Sequence, residues 1–213
     1  SLTRPWWRVR GVLLASVMFA LSFFGGHTQT TLQITYLTAA YLAFEGWRRA
    51  VSRRGILGRI AVFGGLGAAL AAVQLLPAYE LVARSFRTED YHYLDKSVGF
   101  SFTELTQFIW PRLYDAEWWP LYLGVPGLLV ALNALLRPKK QHVFWIGVIV
   151  VGLWLSFGGN SIVYDVFYLV APGFNFFRQQ ERAASLVVFA LGGILCATAG
   201  GVGQFTFGRR QAN

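Results

Sequence analysis

Charged residues are scarce in this 213-residue chain, at 14% of the sequence. A water-soluble protein has about a quarter of its residues charged, so this chain lacks the charge that covers a soluble surface. Cysteine is limited to Cys196, which excludes a scaffold of disulfides within the chain. Apolar residues make up 55% of the sequence, which excludes disorder. The composition therefore indicates an integral membrane protein.

Basic residues outnumber acidic ones by 19 to 10, and they cluster at the ends of apolar segments. This distribution is typical of membrane flanks and does not indicate nucleic acid as a partner. Six apolar segments have roughly the length that a helix needs to cross the hydrocarbon core. They are residues 9–26, 30–47, 56–79, 119–136, 143–158 and 184–207.

The basic residues also predict the orientation of these segments. If all six cross the membrane, 13 of the 19 basic residues fall on one side. They are Arg4, Arg8, Arg10, Arg48, Arg49, Arg53, Arg54, Arg59, Arg137, Lys139, Lys140, Arg209 and Arg210. Because positive charge is retained on the cytoplasmic side, both ends of the chain are predicted to be cytoplasmic. The longer loops 80–118 and 159–183 are then extracytoplasmic.

The predicted fold is all-α, a polytopic transmembrane helical bundle of about six spans that forms a single domain over residues 1–213. Segments 9–26 and 143–158 are short for a full crossing. Segment 30–47 contains four threonines in addition to Gln33. It is therefore either a helix that faces other helices or a segment that only partly enters the bilayer.

Both outer loops contain a short amphipathic segment. Ser101 and Glu104 have the spacing of a capping box, which predicts the start of a helix that Pro111 ends. After Asn160 a second segment places apolar residues on one face and polar ones on the other. The apolar residues are Ile162, Val166, Leu169 and Val170, and the polar ones are Tyr164, Asp165 and Tyr168. These segments are predicted to be interfacial helices on the membrane surface.

Two candidate binding groups lie near the predicted outer boundary of the first three spans. His27 and Gln29 follow a pair of glycines in the turn between the first two spans, where they could bind a substrate. The alternative is a turn in which His27 only caps a helix. Glu80 follows the third span, and it either contributes to a site or marks the water boundary.

A third group precedes the last span, where Arg178 and Arg182 are four residues apart with Glu181 between them. That spacing predicts one shared helical face. Two cations at a helix N-terminus are unfavourable without an anion, so a lipid or substrate phosphate is a candidate ligand. A structural ion pair with Glu181 is the alternative. The chain has no zinc-ligand spacing or phosphate-binding glycine loop, so no cofactor or metal is identified.

Several short motifs occur in order along the chain. Residues 25–29 read Gly-Gly-His-Thr-Gln, 74–80 read Gln-Leu-Leu-Pro-Ala-Tyr-Glu, and 122–126 read Tyr-Leu-Gly-Val-Pro. Pro-Gly-Phe at 172–174 is followed by Phe-Arg at 177–178 and Glu-Arg at 181–182. This succession resembles the bacterial YfhO membrane-protein family, which is similar to the GT-C class of polytopic glycosyltransferases.

The resemblance implies an enzyme of the bacterial cytoplasmic membrane that transfers sugar from a polyprenyl-phosphate carrier to a cell-envelope polymer on the extracytoplasmic face. Arg178 and Arg182 would then hold the carrier phosphate, and His27, Gln29 and Glu80 would line the sugar or acceptor pocket. A requirement for a divalent metal stays open. The alternatives are a membrane transporter or lipid flippase, and a noncatalytic subunit for envelope assembly.

The resemblance also implies an acidic residue in the first outer loop, and the turn at 25–30 has none. We therefore expect the chain to be an internal or C-terminal part of a longer membrane protein, and to lack the catalytic base by itself.

Overall fold

The computed structural model describes residues 5–84, 93–110, 122, 124–140 and 142–210, and omits the side chains of 5–8, 82, 95 and 199–210. Every regular element in these ranges is helical, so the prediction of an all-α fold is confirmed. The chain divides into two compact units, Ser1–Tyr91 and His92–Asn213. The single transmembrane domain over 1–213 stays a prediction.

Over its described residues 5–84 the first unit contains three helices, α1 (Pro5–Phe24), α2 (Thr28–Arg48) and α3 (Arg53–Ala83). The apolar helices α1 and α3 pack against each other, with the ring of Phe19 edge-on to Phe63 at 5.8 Å between centroids. Ala20, Phe23 and Ala71 form the buried cluster beside this pair. Small side chains on α3 therefore receive the large aromatic side chains of α1.

Helix α2 buries its polar side chains. Gln29, Thr31 and Gln33 are buried, whereas Ile34 and Tyr41 are exposed. The hydroxyl groups of Thr31 and Ser22 are 2.8 Å apart and join α2 to α1. A helix with polar groups inside and apolar groups outside faces other helices, which is the first of the two alternatives for segment 30–47.

Helix α3 is longer than predicted from its sequence. Its apolar segment was expected to end at residue 79, just after Pro77, but the helix continues to Ala83 with Pro77 inside it. Proline has no backbone N–H, so the carbonyl of Val73 receives no helical hydrogen bond from position 77. One missing bond does not end this helix, because α3 packs against both α1 and α2.

The second unit contains five α-helices in the described ranges. They are α4 (Tyr93–Lys96), α5 (Val125–Leu136), α6 (Val143–Ser156), α7 (Ile162–Val170) and α8 (Ala184–Arg210). Short 3₁₀ helices cover Phe102–Phe108, Gly158–Asn160, Phe174–Phe176 and Gln180–Ala183. The main core lies where α5, α6 and α8 meet, around Ala131, Ile149, Val187, Ala190 and Ile194.

Two helices are long and apolar enough to cross a membrane, Arg53–Leu81 and Gln180–Thr198. Shorter apolar helices cover Val9–Phe24, Val125–Leu136 and Val143–Ser156. The 12 residues of α5 extend about 18 Å, which is less than the hydrocarbon core. The predicted span 119–136 begins earlier, but residues 119–121 and 123 lie outside the described residues.

Both amphipathic segments predicted to be interfacial helices are helical, and their location at a membrane surface stays a prediction. The carboxylate of Glu104 accepts a hydrogen bond from the Ser101 N–H at 2.6 Å, and the 3₁₀ helix Phe102–Phe108 follows. The second segment is α7, which Ser161 caps by accepting from the Val163 N–H at 3.2 Å. Other parts of the loops 80–118 and 159–183 that were predicted to be extracytoplasmic, together with the start of the predicted span 119–136, fall in residues 85–92 and 111–121 and lie outside the described residues.

Candidate functional site

His27 caps the N-terminus of α2. Its Nδ1 atom lies 2.8 Å from the Thr30 hydroxyl and accepts from the Thr30 N–H at 3.4 Å. This contact satisfies one of the N–H groups that a helix start leaves without a helical partner. The side chain is exposed. His27 therefore has a structural role as a cap, and its contact with a ligand stays a prediction.

Gln29 does not share the exposed surface of His27. Its side chain is buried, as are those of Thr31 and Gln33 on the same helix. Gln33 is 2% exposed, and its Oε1 atom has no hydrogen-bond partner among the described residues. A buried polar atom without a partner costs roughly 1–3 kcal/mol. Helix α2 therefore contains a buried acceptor for which sequence reasoning had assigned no role.

Glu80 lies one turn before the end of α3 and pairs with Arg84. Its Oε1 is 2.6 Å from an Arg84 Nη atom, and both side chains are mostly exposed. An exposed ion pair of this kind contributes roughly 0.2–1 kcal/mol. This position agrees with a carboxylate at the water boundary, and a contact with substrate stays a prediction.

Gln180 is the centre of a buried hydrogen-bond network in the second unit. Its side chain is 1% exposed, and Nε2 donates to the carbonyl oxygens of Lys96 at 3.2 Å and Phe177 at 3.0 Å. Its backbone N–H donates to the Val98 carbonyl at 2.7 Å. Gln180 therefore fixes the stretch before α8 against residues 96–98, which lie more than 80 positions earlier in the chain.

Two further backbone hydrogen bonds add residues 156–160 to this network. The Phe100 N–H donates to the Ser156 carbonyl at 2.8 Å, and the Gly159 N–H donates to the Ser97 carbonyl at 2.7 Å. Three stretches, 96–100, 156–160 and 177–180, are thus joined by hydrogen bonds, and we call them the loop junction. Sequence reasoning missed it because no local pattern indicates pairing between such distant positions.

Arg178 and Arg182 do not share one helical face, so that prediction is wrong. Residues 177–179 are not helical, and Gln179 has a φ of 61°, in the left-handed region. This turn directs Gln180 into the loop junction, and the 3₁₀ helix Gln180–Ala183 begins only after Arg178. The physical reason is that the hydrogen bonds of the buried Gln180 amide stabilise the protein more than an extension of the 3₁₀ helix to Arg178 would.

The two arginines therefore have different surroundings. Arg178 is exposed, whereas Arg182 and Glu181 are half-buried. An Nη atom of Arg182 donates to the Gln179 Oε1 at 2.7 Å. The backbone that carries both guanidinium groups is held by the loop junction. Such an arrangement presents two positive charges close to the start of α8, which suits an anionic ligand.

Tyr93 and Asp165 form a second polar contact that sequence reasoning missed. The Tyr93 hydroxyl donates to the carboxylate of Asp165. This hydrogen bond, with burial and the negative charge of Asp165, raises the pKa of Tyr93 to about 12. Burial also raises the pKa of Tyr164, and the hydrogen bond from Gln180 only partly opposes that effect.

The Tyr93 contact predicts a measurable titration. Asp165→Asn should lower the pKa of Tyr93 from about 12 toward its ordinary 10, because the largest cause of the shift is the hydrogen bond to Asp165. Since the pKa is raised in the folded state, the contact stabilises the protein below pH 10, and the stabilisation is lost as pH rises from 10 to 12. Absorbance at 295 nm, with Tyr93→Phe subtracted, measures the step. A Tyr93 step near pH 10 in the unmodified chain would contradict the contact.

Among the described residues, no group of three or more His, Cys, Asp or Glu side chains could hold a metal ion. Comparison with models of protein families, with curated proteins and with solved structures finds no match for the chain. The functional conclusion therefore depends on the residues themselves.

Proposed function

We propose that the chain is part of an integral membrane glycosyltransferase of GT-C type. It would take sugar from a polyprenyl-phosphate carrier on the extracytoplasmic face and modify a cell-envelope polymer. The observation that carries this proposal is the position of Arg178 and Arg182. They lie on backbone that the buried Gln180 amide fixes, at the start of a candidate membrane span that begins at Gln180.

Four of the candidate residues would contact a ligand in this proposal. Arg178 and Arg182 bind the carrier phosphate and stabilise its charge as the sugar departs. His27 and Glu80 are exposed and would contact the sugar or the acceptor, whereas Gln29 is buried on α2. The transfer also needs a general base within hydrogen-bond reach of the acceptor hydroxyl.

The proposed setting is the bacterial cytoplasmic membrane, with about six spans and both ends of the chain in the cytoplasm. Two candidate spans support it, together with the buried polar side chains of α2. Apolar side chains exposed on α1 and α5, such as Leu14, Met18 and Leu129, are suited to contact with lipid. Contact of these apolar side chains with lipid is more favourable than contact with water.

The proposal predicts a loss of phosphate binding when Arg178 is changed. Arg178→Ala should weaken the binding of a polyprenyl phosphate by roughly 1.5–3 kcal/mol, because a charge-assisted hydrogen bond is lost. Arg178→Lys should recover only part of this, since an ammonium group lacks the planar fork of guanidinium. The measurement is a titration of the chain in lipid nanodiscs with the phosphate, followed by tryptophan fluorescence.

Arg137→Ala is the matched control, because Arg137 is also exposed and ends a different helix. It should leave the affinity unchanged. Unchanged affinity of Arg178→Ala together with a lower melting temperature would instead assign Arg178 to a structural ion pair.

A membrane transporter or lipid flippase is the second candidate function. The observation that favours it is the buried Gln33 Oε1, an acceptor without a partner among the described residues, on a helix whose other buried residues include Gln29 and Thr31. Polar groups inside a membrane bundle often lie on a transport path. Gln33→Leu should abolish substrate movement in a transporter and leave sugar transfer unchanged in a glycosyltransferase.

A further inference from the structure

Helix α7 has two faces that differ sharply in exposure. Ile162, Leu169 and Val170 are 79%, 81% and 75% exposed, and Val166 lies on the same face. The opposite face is fixed within the protein, because the buried Tyr164 donates its hydroxyl to the Lys96 carbonyl at 3.2 Å. A helix on a water-soluble protein shows the reverse arrangement, with its apolar face inside.

The polar face of α7 is also connected to the loop junction. Nε2 of Gln180 lies 3.4 Å from the Tyr164 hydroxyl and 3.2 Å from the Lys96 carbonyl, so one amide contacts both. Asp165, next along α7, accepts the hydrogen bond from Tyr93. The position of α7 is therefore coupled to that of Arg178, which lies two residues before Gln180.

The length of α7 limits how its apolar face can be covered. Nine residues extend about 14 Å, too short to cross a hydrocarbon core of about 30 Å. Exposed apolar residues also occur on α5, α6 and α8 of the same unit, and include Leu129, Leu136, Val143, Val150 and Phe189. A second copy of the chain would cover one side of this surface, whereas lipid covers all of it.

The charge near α7 also fits lipid. Arg178 is exposed and lies between α7 and the candidate span that begins at Gln180. We propose that α7 docks in the interface of one bilayer leaflet, with its apolar face against the acyl chains. Through the loop junction it holds Arg178 at the level of the lipid phosphates. The docking of α7 does not depend on the proposed function, and only the identity of the phosphate that Arg178 binds rests on it.

Spin labels test this docking directly. In a Cys196→Ala background, nitroxides are placed singly at Val166 and Leu169, with Asn175 as the exposed polar control. The chain is reconstituted in vesicles of phosphatidylethanolamine and phosphatidylglycerol. Labels at Val166 and Leu169 should collide with oxygen severalfold more than with a water-soluble nickel chelate, and the label at Asn175 should show the reverse.

Two results would overturn the docking. Nickel accessibility at Leu169 equal to that at Asn175 would place the face in water. Dipolar broadening between labels at Leu169 would show that a second copy covers it. To test the coupling, a label replacing Arg178 should lie at headgroup depth, and Leu169→Asp should move it toward water. An unchanged depth would remove the link between α7 and Arg178.

The docking and the glycosyltransferase proposal fail separately. If the labels on α7 are exposed to lipid and Arg178→Ala binds the phosphate normally, the docking is supported and the role of Arg178 in binding phosphate is contradicted. If the labels on α7 are exposed to water and Arg178→Ala loses phosphate binding, the docking is contradicted and the role of Arg178 in binding phosphate is supported.

Discussion

Replacing Gln180 with leucine should destabilise the second unit and weaken phosphate binding at the same time. The buried amide donates to the Phe177 and Lys96 carbonyls, and leucine has a similar size but cannot donate. Lys96 keeps its hydrogen bond from Tyr164, but the described structure gives the Phe177 carbonyl no replacement donor. The free energy of unfolding should fall by roughly 2–4 kcal/mol, from one unsatisfied carbonyl and one lost bond.

Gln107→Leu is the matched control for this substitution. Gln107 is similarly buried and lies in the same unit, but its Nε2 has no hydrogen-bond partner among the described residues. The same change there removes an unsatisfied group, so stability should be unchanged or slightly higher. Thermal unfolding in detergent micelles and amide hydrogen exchange at residues 177–182 measure both variants. An equal loss of stability in the two variants would contradict the assignment of Gln180 as the centre of the loop junction.

A measurement of phosphate affinity distinguishes the two expected consequences of Gln180→Leu, which are lower stability and weaker phosphate binding. Arg178 and Arg182 are intact in this variant, so reduced affinity for a polyprenyl phosphate would come from their lost positioning. Gln180→Glu offers a partial test of rescue, because a protonated carboxyl can donate to one of the two carbonyls. Its affinity for the phosphate, relative to that of the unmodified chain at the same pH, should therefore be higher at low pH than at neutral pH.

Local features of the structure were predictable from the sequence. The interaction of Ser101 with Glu104 spans three positions, and the two faces of α7 follow from its apolar periodicity, so both were read correctly. These signals lie within one or two helical turns. Such patterns depend on local backbone geometry rather than on the rest of the fold.

Features that depend on distant contacts were not predictable in the same way. The spacing of Arg178 and Arg182 predicts a helical face, but a bond from Gln180 to Val98 selects a different backbone. Likewise, Pro77 is a local signal for a helix end, and packing against α1 and α2 overrides it. In both places tertiary contacts outweigh a local preference of a few kcal/mol.

Gly99 is a position in the loop junction where two stretches of backbone approach each other closely. A Cβ atom at Gly99 would lie within 3.0 Å of Phe157 and Gly158 backbone atoms. Backbone cannot move aside as a flexible side chain can, so residues 97–100 and 157–159 would have to separate. That movement would break the bonds from Phe100 to Ser156 and from Gly159 to Ser97.

Gly99→Ala should therefore lower the free energy of unfolding by roughly 3–5 kcal/mol, which combines overpacking with two lost backbone hydrogen bonds. Gly147→Ala is the control with the opposite sign. Gly147 is exposed in α6 with nothing within 4 Å of its added Cβ, so alanine should stabilise the helix by about 0.5–1 kcal/mol. Melting temperatures of the two variants provide the measurement. A Gly99→Ala chain as stable as the original would mean that residues 97–100 do not pack against 157–159. The loop junction could then not hold Arg178 in place, because its position depends on the same three stretches of backbone.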